Sequence, residues 1–431
     1  MKQPPILNPS PVFGGRNRKT ACAWLLLAIV IAGLAGAVEW REREEAGRLV
    51  SEAERLLGAS FSVAPTLERL PAARARMLLE DAAEQDPAPR TLGLLAYASA
   101  LDALSKGRLD RAREELQQAG ALLGDDARLA LVAARLALVE RDEPAMQQAL
   151  ARAQALAPHD ARVRLMLAEA ALERAPAETF AIASDLLRQQ PDSAALYNLR
   201  GLAHAALGLR DVALDDFERA LDHDATEPAP YVNRGRLLRE VGRHAEAEEC
   251  FSHAIARGMG VVDAWLGRGL SRVAQGDLAG GAADIERARA LAPAEPLPLI
   301  ALGDVEAARG NTTRAVELYR AALVTDPAHA VAWLKLGNAL MHASDVPGAR
   351  DAFLRATELQ PDLAAAHNGL GAARMRLGDT AGADTALARA AVLDANDPNP
   401  LLNLAALRKR QGDAAGARDA WAGALARGYV R

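Results

Sequence analysis

Three groups of residues in this 431-residue chain have side chains of the types that do chemistry. Asp222-His223-Asp224-Ala225-Thr226 has the Asp-x-Asp-x-Thr order of a phosphotransfer nucleophile. That role needs the first carboxylate to follow a strand and face a metal ion. His244, Cys250 and His253 share one stretch, and Cys250 and His253 at i, i+3 lie on one helix face. They offer two metal ligands where a site needs at least three, and a buried thiol beside Phe251 with solvated imidazoles is the plain alternative. Asn311-Thr312-Thr313 is a glycosylation sequon, relevant only in a secretory pathway with that machinery. There is no Gly-rich phosphate loop followed by Lys-Ser/Thr, no Gly-x-Ser-x-Gly, no His-Glu-x-x-His and no paired-cysteine knuckle. We therefore expect no catalytic residue, no cofactor and no metal.

The elements carrying these residues are helices. Half of the chain is apolar and only 4% is aromatic, with alanine the commonest residue, so strand-rich folds are unfavourable. The chain is 25% charged with net charge −5, acids and bases interspersed, which leaves no basic footprint for nucleic acid. Cys22 and Cys250 are too few for a disulfide framework. Lysine occurs only at Lys2, Lys19, Lys106, Lys335 and Lys409, an arginine bias that with the alanine points to a GC-rich bacterial genome.

After a short basic tail over 1–19, Thr20 to Val38 carries no charge. A helix of that length covers about 28 Å, close to a hydrocarbon core. Trp24 and Trp40 near its ends, with Arg16, Arg18 and Lys19 before it, suit a membrane anchor over 20–38. The competing reading is a signal peptide cleaved after Ala35-Gly36-Ala37. Basic residues balance across the span, but the tail has no acid whereas Glu39, Glu42, Glu44 and Glu45 follow. The tail is accordingly placed in the cytoplasm and the body in the periplasm of a bacterial inner (cytoplasmic) membrane protein. A cytoplasm-facing adaptor is the other orientation.

Beyond the span the chain repeats. Gly201, Gly235, Gly269, Gly303, Gly337 and Gly371 are 34 residues apart, a coincidence of order 10⁻⁷ in a shuffled chain. Ala405 continues the series, and Ala168, Ala134 and Ala100 extend it upstream with one 33-residue step, giving about ten repeats. Twelve residues after each anchor stands a small residue, from Ala213 and Ala247 through Gly281, Ala315, Ala349 and Ala383 to Ala417. Sixteen after it comes a bulky one: Phe217, Phe251, Ile285, Tyr319, Phe353, Leu387, Trp421. Nineteen after it comes alanine, from Ala220 to Ala424. Small residues allow two helices close approach and the bulky one fills the gap between units. A second glycine recurs seven after the anchor, as at Gly242, Gly276 and Gly310, often before Asp or Arg, where a turn between two helices needs positive φ. Pro158, Pro293, Pro327 and Pro361 separate successive repeats.

These columns resemble the tetratricopeptide repeat. Trp333, Leu336, Gly337, Ala349, Phe353, Ala356 and Pro361 follow its pattern in one unit, and Trp265, Gly269, Ile285, Ala288 and Pro293 in another. The resemblance covers 93–431 and implies an all-α solenoid, a right-handed superhelix of antiparallel helix pairs whose concave face holds a peptide or partner protein. The repeat between Ala168 and Gly201 departs from the pattern, with Pro176 opening its second helix and Thr179, Ala183 and Leu186 in its columns, so loose packing and a hinge are expected there. Residues 39–92 are helical at 39–57 and 66–83 but out of register, a divergent cap linking the stack to the membrane. The chain stops at Arg431 with no capping helix, so apolar surface is expected around Leu404, Trp421 and Leu425, available to a partner or a second copy.

By the resemblance, the first helix of each repeat lines the groove. Its polar residues there are Asn233, Arg236, Arg239, Lys335, Asn338, His342, Arg376, Asn403, Lys409 and Arg410, where guanidinium forks and amides suit a peptide backbone or carboxylate. The expected function is a non-catalytic membrane-tethered scaffold for assembly of an envelope or export complex. The alternative is the repeat arm of a separate glycosyltransferase chain, as in proteins similar to O-linked N-acetylglucosamine transferases.

Overall fold

The computed structural model describes residues 41–57, 69–257 and 262–429. The basic tail and the apolar span over 20–38 lie outside the described residues. No described helix is long and apolar enough to cross a membrane.

Every regular element among the described residues is an α-helix. α1 covers 41–57 and α2 Arg69–Gln85. Then come α3 (Pro89–Ser105), α4 (Leu109–Leu123), α5 (Ala127–Glu140), α6 (Glu143–Leu156), α7 (Ala161–Ala171), α8 (Pro176–Gln189) and α9 (Ala194–Ala206). They are followed by α10 (Arg210–His223), α11 (Pro228–Glu240), α12 (His244–Ala256), α13 (Val262–Ala274), α14 (Leu278–Leu291), α15 (Pro296–Ala308) and α16 (Thr312–Thr325). The last six are α17 (Ala330–His342), α18 (Val346–Leu359), α19 (Ala364–Leu377), α20 (Thr380–Leu393), α21 (Asn399–Arg410) and α22 (Ala414–Ala426).

The chain divides into two compact units, Met1–Leu209 and Arg210–Arg431. Within each, a helix packs on the next one or next but one in sequence, as α11 does on α12 and α13. This nearest-neighbour packing is what a solenoid requires.

The columns supply the packing. At the bulky position Phe217, Phe251, Ile285, Tyr319, Phe353 and Leu387 are all at most 3% exposed, and the alanines three positions later are fully buried. The glycine anchors exist because of those side chains. A Cβ on Gly337 would stand 2.6 Å from Phe353 Cε1, and one on Gly369, in the first helix of the next pair, 2.5 Å from the same atom. Phe353 is therefore clamped between α17 and α19. Phe251 meets Gly235 and Gly267 in the same manner.

Short turns join the helices, and their chemistry is regular. The glycines seven after the anchor have φ between +70° and +90°, as at Gly107 and Gly276. Three repeats lack that glycine: the backbone keeps the left-handed conformation at Arg141 (φ 59°) and Ser344 (φ 65°), but not at Ala175 (φ −140°), where Pro176 opens the second helix. The aspartate that directly follows caps the second helix: Asp142, Asp277, Asp345, Asp379 and Asp413 accept from the third backbone N–H at 2.8–3.0 Å. Ser344→Gly removes left-handed strain of about 1–2 kcal/mol and returns part of it as unfolded-chain entropy. The expected outcome is a gain of about 0.5–1 kcal/mol in urea unfolding, with Arg141→Gly alike.

One expectation holds in part and another needs correction. In the repeat between Ala168 and Gly201, α7 and α8 meet more sparsely than the helices of other repeats, such as α5 with α6 and α11 with α12, but the column positions are filled. Thr179 and Ala183 are fully buried and Leu186 is 1% exposed, and Thr179 Oγ1 donates to the Ala168 carbonyl at 2.7 Å, satisfying the one polar group in the column. In the last pair, Leu404 is not surface: it is buried with Leu387, Leu407 and Ala420. Trp421 is half-buried and packs edge-on against Tyr429, centroids 5.5 Å apart, while Leu425 is exposed.

Candidate functional site

The residues that open the sequence reading are structural. Asp224 Oδ1 accepts from the backbone N–H and the hydroxyl of Thr226 at 2.9 and 2.6 Å, closing a turn after α10. Its neighbour Asp222 sits in the last turn of that helix, with no strand before it. Cys250 is buried, which pushes its thiol pKa up and disfavours the thiolate a metal would need. His253 stacks on Tyr231, centroids 5.3 Å apart. Among the described residues no group of three or more His, Cys, Asp or Glu side chains is placed to hold a metal ion. Asn311 of the sequon donates to Glu306 Oε2 at 2.7 Å at the start of α16.

The arrangement with binding capacity is a groove of about 480 Å³ in the second unit. It is built by α11, α13 and α15, the first helices of three consecutive repeats. Because these repeats share one register, positions −6, −3, −2, +1 and +4 relative to the anchor glycine all face it. From α11 come Arg236 and Arg239; from α13, Asp263, Leu266, Gly267 and Leu270; from α15, Leu297, Ile300, Ala301 and Asp304. The floor is apolar, with Leu297 50% exposed at its edge. Gly267 carries no side chain because the ring of Phe251 occupies the place of its Cβ.

The charges differ in how they are satisfied. Asp304 is held on both sides: Lys335 Nζ reaches its two oxygens at 2.8 and 2.9 Å, and the Tyr319 hydroxyl donates to Oδ1 at 2.7 Å. Arg236, Arg239 and Asp263 have no side-chain hydrogen bond or ion pair among the described residues, and the buried Nε of Arg239 has no acceptor. A second groove, about 540 Å³, is lined by α4, α5 and α6 in the first unit. Its charged residues are paired, Arg113 with Glu140, Arg152 with Asp125, and Asp126 with Arg128.

Burial, then the bond to Asp304, raises the Tyr319 pKa far above the ordinary phenol range. A raised native pKa means the stabilisation is complete below the unfolded value, about 10, and is lost as pH climbs beyond it. Wild type is expected to lose more stability than Tyr319→Phe between pH 8 and 10.5, read from urea midpoints. Equal losses would remove Tyr319 as the cause.

Of the polar residues selected by register, Arg236 and Arg239 line the groove and Lys335 braces its wall. Asn233 lies half-buried on α11. Asn338 and His342 on α17, Arg376 on α19, and Lys409 and Arg410 on α21 are exposed on later first helices, outside this groove's lining. Asn403 of α21 donates to Asn368 Oδ1 at 2.9 Å. Asp263, Asp304 and the apolar floor were not selected. They occupy the same register positions, and reading every residue type at those positions would have found them.

Comparison with known proteins agrees with the repeat fold. Residues 180–230 and 232–296 match the tetratricopeptide repeat family, and residues 281–428 match the cilia and flagella-associated protein 70 C-terminal domain. The crystal structure of the APC/C hetero-tetramer Cut9–Hcn1 is similar with a TM-score of 0.55 and 17% identity, over 79% of this chain and 72% of that one. Yeast Tom70 gives 0.48 at 14% identity, over 90% and 93%. YrrB, a repeat protein with an unusual peptide-binding site, gives 0.35 at 21% identity, over 43% and 95%. At 17% identity the likeness to Cut9–Hcn1 is one of fold. No curated protein matches the chain.

Proposed function

We propose that these tetratricopeptide repeats form a non-catalytic scaffold that holds a protein segment against α11, α13 and α15. The observation that carries the reading is the groove itself, an apolar floor edged by Arg236, Arg239 and Asp263, charged groups with no partner of their own among the described residues. Unpaired charge beside apolar surface gains most from a ligand that brings both complements. The Cut9–Hcn1 relative is itself a hetero-tetramer.

The finer part of the proposal concerns place. Residues 20–38 anchor the protein in a bacterial inner membrane with the repeats in the periplasm, serving an envelope or export assembly. Tethering confines the groove near the membrane and raises its effective concentration for membrane-bound partners.

Proximity labelling from the full chain tests the scaffold role. Wild type and Leu270→Asp, which puts charge on the floor, should label different sets of proteins at equal expression. Identical sets would defeat the reading. An export-dependent reporter fused after Arg431 should be active, and inactivity would reverse the orientation.

A further inference from the structure

We infer that the groove selects an extended, zwitterionic peptide segment: an acidic side chain held by Arg236 and Arg239, apolar side chains on the floor, and a basic side chain at Asp263. The inference rests on the scaffold reading and specifies its ligand.

Arg236 and Asp263 are both exposed and both unpaired among the described residues, on neighbouring first helices. Some arginines elsewhere in this unit are paired, as Arg243 with Glu246, Arg309 with Glu306 and Arg355 with Glu358, and others, as Arg287 and Arg320, are not among the described residues; Arg236 and Arg239 are set apart by the groove they line. Arg239 beside it is half-buried and has no side-chain partner among the described residues, so the accessible part of its guanidinium can join Arg236 on one carboxylate. The other acid, Asp304, is closed off by Lys335 and Tyr319. That leaves Asp263 as the available negative pole.

Helix geometry sets the distance between the poles. Asp263 lies seven and ten register positions from Arg236 and Arg239, about 10–15 Å along the helix axes, with one interhelical step of about 8–10 Å. The separation is thus about 13–18 Å, or about four to five residues of extended chain. An α-helix would need about nine to twelve residues to reach both poles at 1.5 Å each, whereas extended chain does so with the fewest residues. Single-stranded nucleic acid is disfavoured because the lining has no aromatic side chain for base stacking.

The test uses the full chain and fluorescein-labelled peptide pools, read by anisotropy. One pool has Glu and Lys separated by four randomised residues; a second has Glu next to Lys, followed by the same four; a third replaces both charges with Ser. A labelled oligouridylate is the fourth probe. The first pool should bind at least tenfold more tightly than the second and third. Arg236→Glu with Arg239→Glu should abolish that preference and favour a pool with Lys at both ends; Arg236→Gln alone, at an exposed site, should weaken it several-fold with unchanged circular dichroism.

Equal binding of the three pools overturns the charge pattern while leaving a peptide scaffold standing. Tighter binding of oligouridylate, lost in the double variant, overturns it in favour of nucleic acid. If no pool binds, the inference fails, and the labelling difference with Leu270→Asp decides separately whether the scaffold reading survives.

Discussion

Replacing Phe353 with alanine is expected to cost about 3–5 kcal/mol, the range for deleting a buried aromatic ring. The ring is 1% exposed and lies within van der Waals reach of two helix backbones at once, because both Gly337 and Gly369 lack a Cβ where it sits. Those backbones belong to rigid helices in successive pairs, so neither can collapse into the cavity without breaking contacts on its far side. Urea unfolding followed by circular dichroism reads the loss, and hydrogen exchange should place it in α17, α18 and α19. A companion experiment isolates the clamp. Gly337→Ala and Gly369→Ala should each destabilise wild type through the close approach, but recover part of the loss when added to Phe353→Ala, since the methyls then enter empty space. A cost below about 1.5 kcal/mol, as for a tolerated core swap, would show that the ring is not the element joining these pairs.

Asp284→Ala is the second large effect, expected at about 3–5 kcal/mol. Asp284 is 4% exposed and takes both forks of Arg268 at 2.8 Å, Nε to Oδ2 and Nη2 to Oδ1. Arg272 Nη1 adds a third bond at 2.8 Å, and its Nε continues to Glu248 on α12. The carboxylate therefore balances two guanidinium groups, of which Arg268 has only 15% of its side chain exposed. Removing it leaves buried positive charge unanswered, which is worse than having no ions at all. Replacing Asp284, Arg268 and Arg272 together by apolar residues of similar volume should accordingly cost far less than the single change. Both are measured as urea midpoints at fixed pH; a single-variant loss that added 0.5 M salt abolishes would mark a solvent-screened surface pair instead.

The sequence was most legible where one side chain makes a single demand on one neighbour. Gly337, Ala349, Phe353 and Ala356 repeat at fixed offsets because each can be only one size, and the structure shows the contacts that impose it. The turn glycines were legible because they require positive φ. Arg141 and Ser344 were not, since the flanking helices force the same backbone there on residues that do not favour it. Leu404 read as surface because the last repeat was expected to lack a neighbour to pack against. Its side chain instead points into the cluster with Leu387 and Ala420. The groove was half legible. Register located Arg236 and Arg239, but a search limited to polar grips passed over Leu266, Leu270 and Ile300, whose surface gives a ligand something to bury, and over Asp263, whose charge complements theirs.

The ring held by two glycines also limits how the gene for such a protein can change length. Gly337 and Gly369 belong to different helix pairs, so the spacing between them is fixed by Phe353. Losing one codon inside α19 turns the rest of that helix by about 100° and brings a side chain to the place of a hydrogen. Insertions and deletions are then tolerated in the turns or as complete copies of the period, and the array can grow or shrink by recombination while its interior spacing stays constant.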